Sequence, residues 1–293
     1  MVTKFALNKA NILCAYPYFK SDVVKLLTSI DREKYRLIVD SGAFTVYNSG
    51  IELCVEGYCE FLDSISHLKP FKAVCFDVFG NPDKSWENFL FMHKKGYDVM
   101  PVFTRGEDEK RLDLMYEYTD YIMFGGIVVG RDNYKYVKWF SERNKGRKVH
   151  WLGFNNNIFM KHYKPESVDS SSWMGGQRFG RLDVYRGFGE FIHLSKQDFM
   201  EQPSKLIRDY LKDSNFPDEQ IDLLGKDQAW KGGAKPYNGD SVRGLSSFMS
   251  STNHLKRAFD VENNIGSKVY LACGNTHHIR ALFEAQKQLQ EGV

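Results

Sequence analysis

Leu37-Ile38-Val39-Asp40-Ser41-Gly42-Ala43-Phe44 and Val168-Asp169-Ser170-Ser171-Ser172-Trp173 share one arrangement: apolar residues, then a carboxylate, then small residues. Four further runs end on a polar or glycine position. Ala73-Val74-Cys75-Phe76 precedes Asp77, and Val99-Met100-Pro101-Val102-Phe103 precedes Thr104. Tyr121-Ile122-Met123-Phe124 precedes Gly125-Gly126, and Val149-His150-Trp151-Leu152 precedes Gly153. Ile12-Leu13-Cys14-Ala15 and Lys268-Val269-Tyr270-Leu271-Ala272 add two more runs. Amphipathic stretches at residues 21–30, 55–65, 85–95, 107–118 and 134–144 lie between them. Fully apolar strands alternating with helices indicate a parallel sheet buried on both faces. The expected fold class is α/β, a (β/α)8 TIM-type barrel with a helical insertion in the C-terminal third. In such a barrel the C-terminal strand ends share one mouth, which gathers Asp40, Asp77, Thr104, Gly125-Gly126, Gly153 and Asp169. Taken singly, each is also an ordinary turn residue closing a strand.

The chain has 293 residues, 42% of them hydrophobic, with 22 Phe and 16 Tyr. A barrel of this kind is often about 250 residues, so one domain over residues 1–293 is expected, with its insertion at about residues 195–262. No apolar run approaches the roughly 18 residues of a membrane span, and residues 1–9 lack a signal-peptide core; no membrane partner and a cytoplasmic location (the host cytoplasm, if phage-encoded) are expected. The net charge of +3 permits nucleic-acid binding without arguing for it. Cys14, Cys54, Cys59, Cys75 and Cys273 form no CxxC pair, which gives no framework for a disulfide scaffold or a four-ligand zinc site. Neither a metal nor a cofactor is expected.

Two acids at strand ends suit a base-exchange glycosyl transfer. One attacks an anomeric carbon and the other handles the proton. For Asp169 the alternative is a helix N-cap, and for Asp40 an Asx turn with Ser41-Gly42.

Four motifs in order carry a family resemblance. Asp40-Ser41-Gly42-Ala43-Phe44 resembles the DSGG(F/Y)Q motif of tRNA-guanine transglycosylases. Phe124-Gly125-Gly126-Ile127-Val128-Val129-Gly130 is similar to their VGGLAVG loop, and His150-Trp151-Leu152-Gly153 to their YLMG strand. Val168-Asp169-Ser170-Ser171-Ser172-Trp173 resembles their FDSASY nucleophile motif. The family's CxCxxC zinc motif is absent, and Cys273 with His277-His278 offers a single thiolate in its place. The glutamine after the aromatic of the first motif is Thr45. No RNA-binding extension is evident. These departures shift the resemblance to the phage-type, DpdA-like DNA-guanine transglycosylases.

That resemblance implies exchange of guanine in DNA for a 7-deazaguanine base such as preQ0, by a pentosyltransferase with a covalent Asp-glycosyl intermediate. It makes Asp169 the nucleophile and Asp40 the general acid/base. It makes Phe44 a stacking face for the purine, Leu152 the opposite face, and Asp77 the reader of the guanine N1–H and 2-amino group. Gly125, Gly126 and Ile127 form the loop on the O6 and C7 side. Thr104 stands where the family has a glutamine, and Ser41 and Gly153 line the pocket.

Arg178, Arg181 and Arg186, interleaved with Phe179, Tyr185 and Phe188, have the composition of a nucleic-acid surface, cations for phosphates and rings for unstacked bases. Lys161, Lys164, Lys231, Lys235, Arg243, Lys256 and Arg257 would extend it; a solvated loop is the plain alternative. His277-His278 sits at the mouth or opens the last helix. A base inside a duplex must leave the stack, so a DNA-opening partner protein is an expected accessory. Three other functions remain open: a tRNA-guanine transglycosylase lacking zinc, a non-catalytic subunit binding 7-deazapurine or nucleic acid, and an unrelated barrel hydrolase using Asp40 and Asp169.

Overall fold

In the computed structural model, residues 4–128, 130–201, 204–231 and 242–291 are described. The strands are β1 (Ala10–Ala15), β2 (Tyr35–Asp40), β3 (Lys72–Val74), β4 (Val99–Met100), β5 (Val102–Phe103), β6 (Tyr121–Phe124), β7 (Lys148–Trp151) and β8 (Ser167–Ser170), followed by β9 (Leu182–Gly187), β10 (Glu190–Leu194) and β11 (Lys268–Ala272). The chain divides into two compact units. One comprises residues 11–170 and 266–274; the other comprises residues 1–10, 171–265 and 275–293.

The first unit is a mixed α/β structure around a nearly closed, barrel-like parallel sheet, in the order β4-β3-β2-β1-β11-β8-β7-β6-β5. The two ends of that order flank Pro101. The apolar run 99–103 is therefore interrupted where proline has no N–H to give a ladder. Its carbonyls still serve both sides: Cys75 N–H donates to Met100 O at 2.9 Å, and Met123 N–H to Pro101 O at 2.8 Å. Residues such as Ile12, Leu37, Val39, Val74, Met100, Ile122, Met123 and Val168 are fully buried, as strands covered on both faces require.

Helices follow the strands where the amphipathic spacing places them: Ser21–Ser29, Val55–Ser64, Pro82–Lys94, Glu109–Tyr118 and Asn133–Asn144. Local chemistry sets their starts. Asn81 accepts from the Lys84 N–H at 3.0 Å, with Pro82 in the first helical turn. Asp108 caps its helix by accepting from the Lys110 N–H at 2.9 Å.

The second unit holds the helical part of the C-terminal third and an antiparallel hairpin, β9–β10, in the glycine- and arginine-rich stretch that sequence spacing left unassigned. Its centre is the helix Leu245–Ile265, buried from Leu245 through Asp260 and Val261. Its hydroxyl and amide side chains fold back on their own helix: Ser250 Oγ donates to Ser246 O, Ser251 Oγ to Ser247 O, Thr252 Oγ1 to Phe248 O and Asn253 Nδ2 to Met249 O. A polar helix becomes buriable in this way with most of its donors satisfied; Ser246 Oγ is the exception among its hydroxyls. Lys256 and Arg257, read from sequence as surface cations, are buried in this helix, and Lys256 Nζ pairs with Asp213. Lys235 lies outside the described residues.

Asp183 anchors the hairpin to that helix. Its carboxylate receives Arg181 Nε at 2.7 Å, His193 Nδ1 at 2.6 Å and His254 Nε2 at 3.0 Å, and its N–H donates to Ser250 Oγ at 2.9 Å. Burial alone would raise this carboxyl; the hydrogen bonds from His254, His193 and Arg181 outweigh it and hold it at about 2. A depressed carboxyl contributes stability that is full above its unfolded value, near ~3.9, and is lost as the pH falls through about 2. Asp183→Ala is expected to cost about 1–3 kcal/mol, because it leaves the buried His254 without its acceptor and the more exposed Arg181 and His193 unpaired. The variant should also lose the part of the acid dependence between pH ~4 and ~2 that this carboxyl supplies. Urea unfolding of both proteins across that pH range checks both effects.

Candidate active site

Asp40 is the last residue of β2, Asp77 follows β3 and Asp169 lies in β8. The three are close enough for both Asp77 and Asp169 to act on the Asp40 carboxyl. Burial, then the Asp77 carboxylate, then Asp169 push the Asp40 carboxyl up to about 7. Burial also raises Asp77, to about 6, against the stabilising hydroxyl of Ser41 that donates to its Oδ1. Asp40 Oδ2 accepts from the Gly42 N–H at 3.0 Å. The Asx-type turn and the raised acid are therefore the same residue. Gly42 adopts φ +82, and a Cβ there would collide with the Pro17 ring, so only glycine carries the chain from Asp40 into the helix Ala43–Ser49.

Asp169 sits in a strand and caps no helix. Its Oδ1 accepts from the Gly153 N–H at 2.6 Å and from His150 Nε2 at 3.2 Å. Among the described residues these two donors converge on one oxygen and leave Oδ2 without a hydrogen-bond partner. The Asp169 side chain keeps 13% exposure.

The sides of the mouth come from neighbouring strand ends. Phe44 is 60% exposed and meets Phe79 edge-on at 5.8 Å between ring centroids, while Tyr47 lies 4.6 Å from Phe79. Phe44 is thus available for stacking rather than part of the core. Leu152 is half-buried and approaches Gly125, where an added Cβ would lie 3.5 Å from Leu152 Cδ1. Ile127 is fully buried. At Gly126 the backbone has φ +69, and a Cβ would come within 2.9 Å of Thr104 Oγ1 and 3.0 Å of the Arg105 N. The paired glycines let the loop lie against the strand end after β5. Thr104 is held there through its own N–H, which donates to Glu107 Oε2 at 2.5 Å. Burial pushes Glu107 up to about 7.

Two participants carried no sign of their role in the sequence. Arg105 pins the glycine loop: Nε donates to Gly126 O at 3.3 Å, Nη1 to Asp132 at 2.9 Å, and the guanidinium lies 4.0 Å from the Tyr136 ring centroid. His150, inside an apolar strand, is fully buried.

The three arginines of the expected nucleic-acid surface belong to the other compact unit. Arg181 is engaged with Asp183, Arg186 pairs with Glu190, and Arg178 lies 4.0 Å from Met174 Sδ. His277 and His278 open the last helix, Thr276–Glu291, where the His278 N–H donates to Asn275 Oδ1 at 3.0 Å. All five cysteines are free, and Cys54 alone among them is exposed. Among the described residues no group of three or more His, Cys, Asp or Glu is arranged to hold a metal ion. No helix among them is long and apolar enough to cross a membrane.

No family model matches the chain, and no solved structure matches it. It is similar to a protein of Sulfolobus islandicus rod-shaped virus 1 described as Uncharacterized protein 306, with 22% identity over 210 residues, covering 66% of this chain and 68% of the viral protein.

Proposed function

We propose that the chain is a guanine transglycosylase that exchanges guanine in DNA for a 7-deazaguanine base such as preQ0. The observation that carries the reading is the unequal treatment of two carboxylates at one end of the sheet. Asp169 is oriented by two donors on one oxygen, while Asp40 is pushed up to about 7. Unequal environments are how two acids take two roles. Counting β4 and β5 as one strand broken at Pro101 makes the sheet an eight-stranded (β/α)8 barrel, the fold whose C-terminal mouth carries catalysis.

In this mechanism Asp169 Oδ2 attacks C1′ of a guanosine as the C1′–N9 bond breaks, and protonated Asp40 gives its proton to the departing guanine. The new base then loses its N9 proton to Asp40. Its nitrogen attacks C1′, and the ester bond to Asp169 breaks. Asp77 accepts from the N1–H and 2-amino group of the base, Phe44 stacks on its face, and Gly125, Gly126 and Ile127 bound its far edge. Ser41 sets the Asp77 carboxylate, Leu152 and Gly153 close the remaining side, and Thr104 stands at the edge a glutamine would read. Arg178, Arg181 and Arg186 are assigned to the nucleic acid, with a DNA-opening partner where the substrate is duplex. No step requires a cofactor.

The test is incorporation of labelled guanine into duplex DNA, single-stranded DNA and tRNA, with preQ0 as competitor. Label in DNA alone, displaced by preQ0, supports the reading. Label in tRNA alone moves the protein to RNA, and release of free base without exchange makes it a hydrolase.

A further inference from the structure

His150 and Ser167 stand directly opposite each other across β7 and β8. Asp169 follows Ser167 by two residues and so shares its face. On the other side Met123 of β6 is the partner of His150, which puts Tyr121 on the same face again. The side chains join. Tyr121 Oη and Ser167 Oγ are 2.5 Å apart, Ser167 Oγ and His150 Nδ1 are 2.5 Å apart, and His150 Nε2 reaches Asp169 Oδ1 at 3.2 Å. His150 and Ser167 are both fully buried.

The donor inventory gives this row a direction. An ionised carboxylate only accepts, so the His150 proton belongs on Nε2. Nδ1 of the neutral ring is then an acceptor, and Ser167 Oγ–H donates to it. Ser167 in turn accepts from Tyr121, whose hydroxyl burial raises and so keeps protonated. Each hydrogen along the row has its own acceptor, and the imidazole has one tautomer and one orientation left. The Gly153 N–H meets the same carboxylate oxygen at 2.6 Å.

We propose that His150, locked by Ser167 and Tyr121, is the positioning residue for Asp169: it fixes Oδ1 so that Oδ2 is the oxygen presented to the sugar. This rests on the reading of Asp169 as nucleophile. His150 touches no substrate atom. It acts by removing the carboxylate's rotational freedom, and a misplacement of about 1 Å at such a site costs on the order of 100-fold.

The experiment combines one measurement independent of turnover with a variant series. In the full chain, nitrogen-detected NMR of the histidine rings is expected to show His150 as the Nε2–H tautomer. In Ser167→Ala that preference should weaken while the thermal midpoint stays within the range of other small core changes. His150→Phe is expected to slow covalent adduct formation roughly 100-fold with KM unchanged. His150→Gln, whose amide N–H replaces Nε2–H, is expected to recover most of the loss. An Nδ1–H tautomer, or folded His150→Phe with the wild-type adduct rate, overturns the proposal. Absence of recovery in His150→Gln alongside a wild-type rate in Ser167→Ala also overturns it. If instead Asp169→Ala still forms the adduct, the nucleophile reading fails, and the NMR result separates that failure from a failure of the His150 contact itself.

Discussion

On the proposed reading, asparagine in place of Asp169 is expected to leave no covalent nucleic-acid adduct and to lower base exchange by on the order of 10⁴- to 10⁶-fold, the scale on which loss of a nucleophile is felt. The substitution is close to isosteric, and the side-chain oxygen of asparagine still accepts from the Gly153 N–H. The thermal midpoint should therefore move little, which separates lost chemistry from lost fold. Denaturing electrophoresis of enzyme mixed with guanine-containing oligonucleotide reads the adduct, and label incorporation reads exchange. Full exchange by the asparagine variant would remove Asp169 from the reaction.

The second large effect belongs to Asp40. Asp40→Asn is expected to lower the single-turnover rate of guanine release by about 10²- to 10⁴-fold, the usual contribution of a general acid. The pH profile carries the sharper signature. The acid is competent while protonated, so the wild-type rate is full below about 7 and falls roughly tenfold per unit above it. The asparagine variant should lose that dependence. The stability effect has the opposite sense. A carboxyl whose folded value is raised contributes stability that is full below its unfolded value, ~3.9, and is lost as the pH rises to about 7, so the denaturant midpoint of Asp40→Asn should gain on that of the wild type between pH ~4 and ~7 and stay ahead of it at pH ~8. A variant that is more stable and nearly inactive at alkaline pH would show what the buried acid costs the fold. Denaturant midpoints at pH ~4 and ~8 check it.

Much of the sheet was legible because its strands are covered on both faces and read as unbroken apolar runs, as at Tyr121-Ile122-Met123-Phe124. Carboxylates ending such runs mark themselves, which is why Asp40, Asp77 and Asp169 were found together. The support behind them was hidden. His150 meets Ser167 through strand register, seventeen residues along the chain, and no local pattern records that pairing. Lys256 and Arg257 read as surface cations because the buried helix around them is polar in composition. Its self-satisfied hydroxyls, such as Ser250 on Ser246 O, are a property of the folded helix alone. The β9–β10 hairpin was obscured by the same charged residues that build it, since Asp183 pairs with His193 across the strands, with Arg181 joining it from two residues earlier.

The place of β11 in the sheet governs how this protein must be made. β11 pairs with β1 on one side, Ile12 against Leu271, and with β8 on the other, Val269 against Val168. During synthesis the first eight strands leave the ribosome long before it does. Until then β1 and β8 present bare parallel edges, templates for pairing with another chain. A nascent chain stalled after β10 should accordingly be aggregation-prone and dependent on chaperones, and the ring of strands can be sealed only when the segment around Lys268–Ala272 has been released.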